Sequence, residues 1–443
     1  MNNETVAAIA TAYGVAGVGI IRISGLLALN IANKMFSKPL NQSHKMVYGS
    51  VVRGDNIIDK ALACFFKAPN SYTGEDIIEF HCHGGMTVCK MVLETALLHG
   101  AALAPPGEFT RRAFLNGRLD LAQAEAVGDL IEAKTEDAAF VAANHLEGKL
   151  SKKISEARSK LLDITAHLTA TFDFPDEMED YDGCELTLGL NQVKSIIDNL
   201  LATADDGFIV RDGVNAAIIG APNVGKSSFL NLLTGHDRAI VSDIEGTTRD
   251  VIEVSVNIRG CRINLLDTAG IRQSSDFIEQ LGVKRSIDAL NSADIIFLIL
   301  DGTRELNEDD KQIISLISGK DVVCLINKCD LPQKIIPPHF DKIINISALT
   351  GTGIEDFFSF ISKKYSKGNL VTTVLITSKR HKQALIRASE LIANSIDLVN
   401  GNQPADIILG DLELCLMALG EIDGMTVSDE IIENIFSRFC IGK

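Results

Sequence analysis

The chain has 443 residues and a formal net charge of −16 at pH 7. Its length predicts about three domains. The negative charge disfavours general nucleic-acid binding, because lysine and arginine contacts with phosphates supply most non-specific affinity, so any RNA substrate is expected to arrive mainly with a basic partner. The nine cysteines form no C-x-x-C pair, and no apolar run is long enough for a membrane span, which favours a cytoplasmic protein with reduced thiols.

Residues 1–118 alternate short β-like runs with helical patterns, which predicts a compact α/β domain. Within this largely apolar segment, Arg22, Glu79 and Arg118 carry charges. Opposite charges of this kind either bind an amphoteric small molecule or form a structural salt bridge, and the sequence leaves both interpretations open. The predicted strands are residues 18–23, 61–66 and 76–81, and the predicted helices are residues 26–35 and 87–98.

The run His81-Cys82-His83 contains residue types that bind metals. Its two histidines fall on one face of the predicted strand, but no further ligands stand at the spacing of a zinc site. We therefore expect no metal at this position.

From residue 120 onward the apolar residues follow the spacing of α-helices. An acidic run at residues 173–182 interrupts them and is interpreted as a solvated loop. The helical spacing stops near residue 208 and resumes after residue 364, which predicts one helical domain with another domain inserted into it. The predicted helices are residues 121–131, 135–150, 154–170, 188–201, 378–398, 407–419 and 428–439.

The inserted segment opens with the pattern of a phosphate-binding loop. An apolar strand pattern at residues 214–219 leads into Gly220-x-x-x-x-Gly225-Lys226-Ser227 and then into a helical run. In this context the loop N–H groups and the helix N-terminus bind phosphate oxygens, and Lys226 reaches the β- and γ-phosphates. The alternative is a tight strand-to-helix turn that happens to contain a lysine, and the motifs that follow disfavour it.

Two of these motifs predict the metal side of the site. Asp267 ends the predicted strand 262–266, where its carboxylate can reach the Mg²⁺ shell. Thr248 lies in a polar loop between the two motifs and can close over the metal and the γ-phosphate. We therefore expect Ser227 and Thr248 to bind Mg²⁺ through their hydroxyls.

Two further motifs predict the base side of the site. Asp330 follows the predicted strand 322–326, and its carboxylate can accept two hydrogen bonds from guanine that adenine cannot donate. The turn at Ser347 suits the guanine carbonyl. Four motifs in this order resemble those of GTPases of the translation-factor class. The predicted GTP-binding residues are Asn223, Val224, Gly225, Lys226, Ser227, Ser228, Ser242, Asp243, Ile244, Glu245, Gly246, Thr247, Thr248, Asp267, Thr268, Ala269, Gly270, Asn327, Lys328, Cys329, Asp330, Ser347 and Ala348.

The chain ends in Cys440-Ile441-Gly442-Lys443, a tail that has no packing rationale of its own and would ordinarily fray. With this terminus, the helix opening at residues 118–126 and the switch sequence at residues 246–250, the whole chain resembles the tRNA modification GTPase MnmE family, also called TrmE.

The resemblance implies a multidomain fold, α/β plus all-α. A P-loop GTPase domain is inserted into a helical domain, and an N-terminal α/β folate-binding domain precedes both. The implied domains are residues 1–118 for folate binding and dimerisation, 119–207 for the first helical part, 208–366 for the GTPase, and 367–443 for the second helical part with the terminal motif.

The resemblance also implies a folate site and a catalytic arrangement. 5-Formyl-tetrahydrofolate, or a related one-carbon donor, is assigned to Arg22, Glu79, Arg118 and Lys443, although relatives commonly have lysine in place of Arg118. A K⁺ ion beside the nucleotide is assigned to Asn223, Ser242, Ile244 and Thr247, where it can neutralise charge as an arginine finger does in other GTPases.

The residue after the Asp-Thr-Ala-Gly motif is Ile271, where Ras-like proteins carry a water-orienting glutamine. An aliphatic side chain cannot position water, and the family position that does so falls on Glu279. Glu279 and Lys226 are therefore the expected catalytic residues. Without the resemblance, the sequence does not distinguish Glu279 from an ordinary exposed helix carboxylate.

The implied reaction adds an aminomethyl or carboxymethylaminomethyl group to carbon five of the wobble uridine of certain tRNAs. The implied partners are a flavoprotein, MnmG, in a heterotetramer, and a second copy of the chain in a homodimer. Cys440 is expected either to line the cofactor pocket or, as an exposed thiolate near Lys443, to act as a nucleophile, and the first is favoured.

Two other classes of function remain open at this point. A GTPase acting only as an RNA-contacting switch is expected to carry a basic appendage, and the sequence has none. A folate-dependent transferase with a purely structural nucleotide domain conflicts with the intact Lys226, Asp267 and Asp330.

Overall fold

A computed structural model of the chain describes residues 4–173, 183–236, 252–266, 290–365 and 373–443. By their contacts these residues divide into two compact units. The first unit comprises Met1–Glu132, Ala142–Asn199 and Gln383–Lys443, and the second comprises Ala133–Val141 and Leu200–Lys382. In the described part of the chain, no helix has an apolar stretch long enough to cross a membrane.

The first half of the chain begins with mixed strands and helices and then becomes helical. The N-terminal segment contains β1 (Val6–Ile9), β2 (Ala16–Ser24), α1 (Ala28–Met35), β3 (Met46–Arg53), β4 (Asn56–Phe66), β5 (Ile77–Gly84), α2 (Met86–Leu98), β6 (Ala102–Leu103) and α3 (Glu108–Leu115). A helical run follows with α4 (Leu121–Glu132), α5 (Glu136–Leu146), α6 (Lys149–Asp173), α7 (Gly183–Leu201) and α8 (Ala204–Asp212).

The second half of the chain returns to alternating strands and helices before it ends in helices. The alternating part contains β7 (Val214–Ile219), α9 (Lys226–His236), β8 (Ile252–Ile258), β9 (Cys261–Leu266), β10 (Ile295–Asp301), α10 (Glu308–Leu316), β11 (Val322–Asn327), β12 (Ile343–Asn345) and α11 (Ile354–Tyr365). The final helices are α12 (Lys379–Asn400), α13 (Ala405–Asp423) and α14 (Asp429–Ser437).

The N-terminal sheet has its described strands in the order β3-β4-β5-β2-β1-β6. Successive residues of a strand point to opposite faces. One face of the central strands therefore buries Ile21, Ile23 and Phe80 in the main core of this domain. The other face carries Arg22 and Glu79, which stand directly opposite each other on β2 and β5.

The helical part of the first unit is built on the packing of α6 along α13. Both helices bury apolar residues at helical spacing, such as Ile154 and Leu161 on α6 and Leu412 on α13. An ion pair between Arg158 and Asp423, 3.3 Å apart, joins the same two helices.

The second unit contains a sheet with its described strands in the order β12-β11-β10-β7-β9-β8. All neighbours are parallel except β8 and β9. The central strand β10 is buried along its whole length, because apolar cores cover both faces of the sheet. The carboxyl ends of parallel strands lie at one edge of a sheet. The last residues of β7, β10 and β11, which are Ile219, Asp301 and Asn327, therefore lie at the same edge.

Several predicted helix bounds are wrong. A single helix at residues 135–150 does not form, because α5 ends at Leu146 and α6 begins at Lys149. Between them Gly148 has a φ of 81°, a left-handed conformation that ends a helix. The helix predicted at residues 188–201 instead begins at Gly183.

Helix α8 was not predicted from the sequence, and it crosses the expected start of the GTPase domain at residue 208. By contact, α8 belongs to the second unit. The predicted domain bounds at residues 118, 207 and 366 remain predictions, and the acidic run at residues 174–182 lies outside the described residues.

Candidate functional site

The phosphate loop connects the end of β7 to the start of α9. Its backbone takes left-handed conformations at Asn223, with a φ of 63°, and at Gly225, with a φ of 103°. A side chain at Gly225 would place its Cβ 2.1 Å from the Asn327 amide nitrogen, so only glycine fits. The sequence pattern therefore folds locally into the tight turn that a phosphate cradle requires.

Lys226 opens α9 and points back into this loop. Its ammonium donates to the carbonyl oxygens of Gly220 and Ala221, at 2.8 Å each. Burial lowers the pKa of Lys226 from its ordinary value. The ammonium is thus held inside the loop by carbonyl groups, which phosphate oxygens can replace as charge-assisted partners.

Asn327 connects the phosphate loop to the base side of the site. Its side-chain nitrogen donates to the Val224 carbonyl at 2.7 Å, and its side-chain oxygen accepts from the Ala348 N–H at 2.9 Å. Asn327 is only 3% exposed. One buried amide therefore fixes the two loops at a set distance from each other.

The segment that we call the base loop, residues 328–333, follows Asn327. The Cys329 N–H donates to the Ile346 carbonyl at 3.0 Å, which ties this loop to the turn at Ser347. Ser347 is fully buried, whereas Asp330 is exposed at the rim. Burial raises the pKa of the Cys329 thiol, and the negative charge of Asp330 raises it further. A carboxylate at the rim is available to hydrogen-bond a base.

The structure brings together those predicted nucleotide residues that it describes. They lie at the edge of the sheet where β7, β11 and β12 end, with Ser227 and Ser228 in the first turn of α9. The predicted residues that lie outside the described chain are Ser242, Asp243, Ile244, Glu245, Gly246, Thr247, Thr248, Asp267, Thr268, Ala269, Gly270 and Glu279.

A second cluster of predicted residues lies on the N-terminal sheet. The Arg22 guanidinium donates to Glu79 Oε1 at 2.8 Å, and the side chains of both residues are 15% exposed. Arg22 also lies over the rings of Tyr72 and Phe109, at 5.6 Å and 5.4 Å from their centroids. The expected salt bridge is present, and it stands in an aromatic setting that can also receive a planar ligand.

The C-terminal tail docks at this cluster. The Gly442 carbonyl accepts from Arg22 at 3.5 Å, and the Lys443 carbonyl accepts from the Phe109 N–H at 3.1 Å. Gly442 has a φ of 92°, and a Cβ there would lie 2.2 Å from the Ile9 carbonyl oxygen. Burial lowers the pKa of the Lys443 side chain, and the charge of Arg22 lowers it further. The tail is therefore a packed part of the domain.

Arg118 and Cys440 differ from the rest of this group. Arg118 is exposed, its methylene carbons lie near Gly74, and among the described residues the structure shows no contact between Arg118 and Arg22 or Lys443. Cys440 is exposed and lies three residues before the terminus, where its carbonyl accepts from the Lys443 N–H. Three of the four predicted folate residues are thus assembled, with Cys440 beside them.

The run His81-Cys82-His83 has other partners. His81 lies 3.4 Å from Glu79, and His83 pairs with Asp59 at 2.7 Å. Burial raises the pKa of the Cys82 thiol to about 12. Within the described residues, no group of three or more His, Cys, Asp or Glu side chains is placed to hold a metal ion.

Three side chains in these clusters were not predicted from the sequence. Tyr72 and Phe109 stack on Arg22, and Asp301 pairs with Lys328 at 2.5 Å. Asp301 ends a fully apolar strand at the edge where nucleotide residues gather, and that position alone could have identified it. Tyr72 and Phe109 come from separate segments, so only the fold brings them to Arg22.

The parallel sheet, the phosphate loop and the Asn-Lys-x-Asp motif together define a P-loop GTPase. Two family descriptions match the chain: "GTP-binding protein TrmE N-terminus" over residues 5–118 and "MnmE helical domain" over residues 121–440. The chain belongs to the tRNA modification GTPase MnmE family.

Relatives of this family match along the full length. The chain is 46% identical to the tRNA modification GTPase MnmE of Alkaliphilus oremlandii, over 100% of this chain and 99% of the relative. It is 44% identical to that of Clostridioides difficile, with the same coverage. Among solved structures, Era in complex with MgGDPNP and part of 16S ribosomal RNA is 30% identical over 40% of this chain and 66% of that one, with a TM-score of 0.28.

Proposed function

We propose that this protein hydrolyses GTP while taking part in the modification of the wobble uridine of certain tRNAs. The reaction adds an aminomethyl or carboxymethylaminomethyl group to carbon five, using a one-carbon unit from folate. The observation that carries the proposal is the presence of two assembled clusters in one chain, the phosphate loop locked by Asn327 and the tail-capped Arg22–Glu79 pair.

The nucleotide chemistry follows from the first cluster. Lys226 would exchange its carbonyl partners for β- and γ-phosphate oxygens, and Asp330 would read guanine through its two N–H groups. Mg²⁺ fits Ser227 at the N-terminus of α9, with Thr248 as its proposed second protein ligand. K⁺ would be held by the side-chain oxygen of Asn223, a phosphate-loop residue with a left-handed backbone, together with Ser242, Ile244 and Thr247. Glu279 is proposed to position the attacking water.

The folate cluster fits an amphoteric ligand. Folate combines a pteridine ring that donates N–H groups with an anionic glutamate tail. Glu79 can accept from the ring, the rings of Tyr72 and Phe109 can stack on it, and Lys443 offers a cation whose pKa burial already lowers. A bound folate would supply the one-carbon unit. These residues would bind and orient it, and Cys440 would line the pocket.

The partners are part of the same proposal. A flavoprotein, MnmG, would join in a heterotetramer and deliver most of the contacts to tRNA, which suits a chain with a net charge of −16. A homodimer through the N-terminal domain is supported by apolar side chains on its sheet. Tyr48 and Leu62 stand opposite each other on β3 and β4 and are 57% and 40% exposed.

GTP hydrolysis by the purified protein tests the nucleotide half of the proposal. We expect hydrolysis of GTP and not of ATP, and its loss in Lys226→Ala, because that variant lacks the cation for the γ-phosphate. Lys311→Ala is the matched control, since Lys311 is exposed on α10. Hydrolysis that is unchanged in Lys226→Ala would contradict the assignment of the phosphate loop.

A further inference from the structure

A polar turn, Asp301-Gly302-Thr303, begins at the last residue of β10 and lies outside the GTP-binding motifs. Asp301 is 8% exposed. Its Oδ1 accepts from the N–H and the hydroxyl of Thr303, at 2.9 Å and 2.7 Å. Its Oδ2 accepts from the Lys328 ammonium at 2.5 Å. Both oxygens are engaged, so the orientation of the carboxylate is fixed.

The Asp301–Lys328 pair is an ion pair at neutral pH. Burial acts to raise the pKa of Asp301, but hydrogen bonds from Lys328 and Thr303 and the charge of Lys328 outweigh it and hold the pKa below the ordinary value. The Asp301 side chain is 9% exposed and that of Lys328 is 34% exposed. The carboxylate is therefore the buried, fixed member of the pair, and the lysine is the member that reaches the surface.

The backbone holds the other end of Lys328. Its φ is 66°, a left-handed value that is uncommon for a residue with a side chain. Its carbonyl accepts from the Leu331 N–H at 3.0 Å and from the Gln333 amide at 2.8 Å. Lys328 is thus fixed at its backbone and at its ammonium, and the methylene stem between them has little freedom.

The Asp301 turn and the base loop also interlock through their backbones. The Gly302 N–H donates to the Asn327 carbonyl at 2.9 Å. A Cβ at Gly302 would lie 1.8 Å from the Gln333 side-chain oxygen, so the base loop packs directly onto this turn. The Asp301 turn is therefore a support for the residues that begin the base loop.

We propose that Asp301 is a positioning residue for guanine recognition, and that it acts through Lys328. Asp301 anchors the Lys328 ammonium and thereby holds the methylene stem of Lys328 in place. The stem then forms an apolar surface against the flat face of guanine, while Asp330 hydrogen-bonds the edge of the same base. This inference rests on the proposed GTP site. An unanchored ammonium would move toward water and take the stem with it, because lysine side chains follow their strongly hydrated charge.

The test compares nucleotide binding by Asp301→Asn and Lys328→Met. Asparagine keeps the shape of the turn but removes the charge, and methionine keeps most of the stem but removes the ammonium. We expect each variant to weaken binding of N-methylanthraniloyl-GDP by roughly tenfold, the lower end of the range for one lost charge-assisted hydrogen bond. The KM for GTP should rise in parallel while kcat stays unchanged, because the proposal assigns Asp301 and Lys328 to the base and not to the phosphates or the attacking water.

A double-mutant cycle separates positioning from simple stability. In the Lys328→Met background, Asp301→Asn should cause no further loss of affinity. Asp310→Asn is the matched control, since Asp310 is 1% exposed and pairs with Arg304 at 2.6 Å while capping α10. That control should lower the unfolding temperature and leave nucleotide affinity unchanged.

Three outcomes decide the inference. Wild-type affinity in Lys328→Met, or in folded Asp301→Asn, overturns it. A full additional loss in the double variant overturns it as well, because Asp301 would then act independently of Lys328. Asp330→Asn tests the underlying site separately. It should shift preference from GTP to xanthosine triphosphate, and if it does not, the proposed base site itself fails.

Discussion

At the scale of single residues, Asn327 holds both halves of the nucleotide site. Its amide bonds a carbonyl of the phosphate loop on one side and an N–H of the Ser347-Ala348 turn on the other. A buried amide with two such bonds cannot be replaced by an apolar group without leaving both partners unsatisfied. The arrangement makes phosphate binding and base binding depend on one side chain.

We expect Asn327→Ala to destabilise the second unit by about 2 to 4 kcal/mol, since two buried groups lose their partners. GDP binding should weaken as well, because the two loops are no longer held together. Asn345→Ala is the control, as Asn345 is exposed at the end of β12. Thermal unfolding with and without GDP measures both effects, and equal midpoints for the two variants would contradict this role.

Asn223 is the described member of the proposed K⁺ site. We expect wild-type GTP hydrolysis to be faster in K⁺ than in Na⁺ at equal ionic strength, and Asn223→Ala to abolish the difference. Alanine also strains the left-handed backbone at φ 63°. Asn223→Gly keeps that conformation and removes only the side chain, so it should lose the K⁺ preference too. Equal wild-type rates in the two salts would remove the K⁺ site.

At this scale, functional residues could be predicted from the sequence where the chemistry depends on a few neighbouring residues. Lys226 and Asp330 could be assigned because their motifs span a few residues and follow a predicted strand. The position of Asp301 at the end of an apolar strand could mark it as a candidate, but its role could not be assigned, since it depends on contact with Lys328, which directly follows the neighbouring strand β11. Arg118 was grouped with Arg22 and Lys443 by resemblance, and the structure shows only the latter two assembled with Glu79.

At the scale of elements, the C-terminal tail is the least expected feature. Its sequence has no packing rationale of its own, yet Gly442 fits against Ile9 and the Lys443 carbonyl bonds the Phe109 N–H. Strand register and tail docking both depend on contacts between distant segments, which the spacing of apolar residues does not encode. The strands β1, β3, β6, β8 and β10 were not predicted, whereas most of the longer helices were.

We expect deletion of Lys443 to weaken binding of 5-formyl-tetrahydrofolate by roughly tenfold to a hundredfold, which is the loss of one charge-assisted hydrogen bond. Lys443→Met keeps the backbone contact to Phe109 and should lose a similar amount if the ammonium is the partner. GTP hydrolysis should persist in both. Calorimetric titration with folate measures the effect, and dissociation constants that match the wild type would exclude the terminus from the site.

A second feature at this scale is the contact between the chain segments before and after the GTPase domain. Helix α8 packs against the segment before α12, where Thr203 accepts from the Ile376 N–H at 3.1 Å and Arg211 donates to the Thr377 carbonyl at 3.0 Å. A Cβ at Gly207 would lie 2.2 Å from the Ile376 carbonyl oxygen. The segment that enters the second unit (residues 203–211) and the segment that leaves it (residues 376–377) are therefore held together by these contacts, which we call the clamp.

Gly207→Ala should destabilise this clamp by about 1 to 3 kcal/mol, because its Cβ meets backbone that cannot move aside easily. Gly235→Ala is the matched control in α9, where nothing lies within 4 Å of the added carbon. That variant should gain about 0.5 to 1 kcal/mol through better helix propensity. In thermal unfolding, the midpoint of the GDP-sensitive transition should fall in Gly207→Ala and rise in Gly235→Ala. Midpoints that shift in the same direction in both variants would argue against the clamp.

At the scale of the whole molecule, the chain combines two kinds of site in separate units. The nucleotide residues lie in the second unit, and the tail-capped cluster of Arg22, Glu79 and Lys443 lies in the first. The fold class and the order of domains could be predicted, because hydrophobic periodicity changes where the fold changes. Helix bounds near Gly148 and the existence of α8 could not, since both depend on local turns and on packing from distant chain.

The central claim is that GTP hydrolysis by this protein supports modification of the wobble uridine of tRNA. The most direct test is nucleoside analysis of tRNA from cells that lack the protein and from the same cells supplied with wild type or with Lys226→Ala. We predict that the group at carbon five disappears without the protein, returns with wild type and stays absent with Lys226→Ala. Unchanged wobble uridines in the cells that lack the protein would contradict the claim.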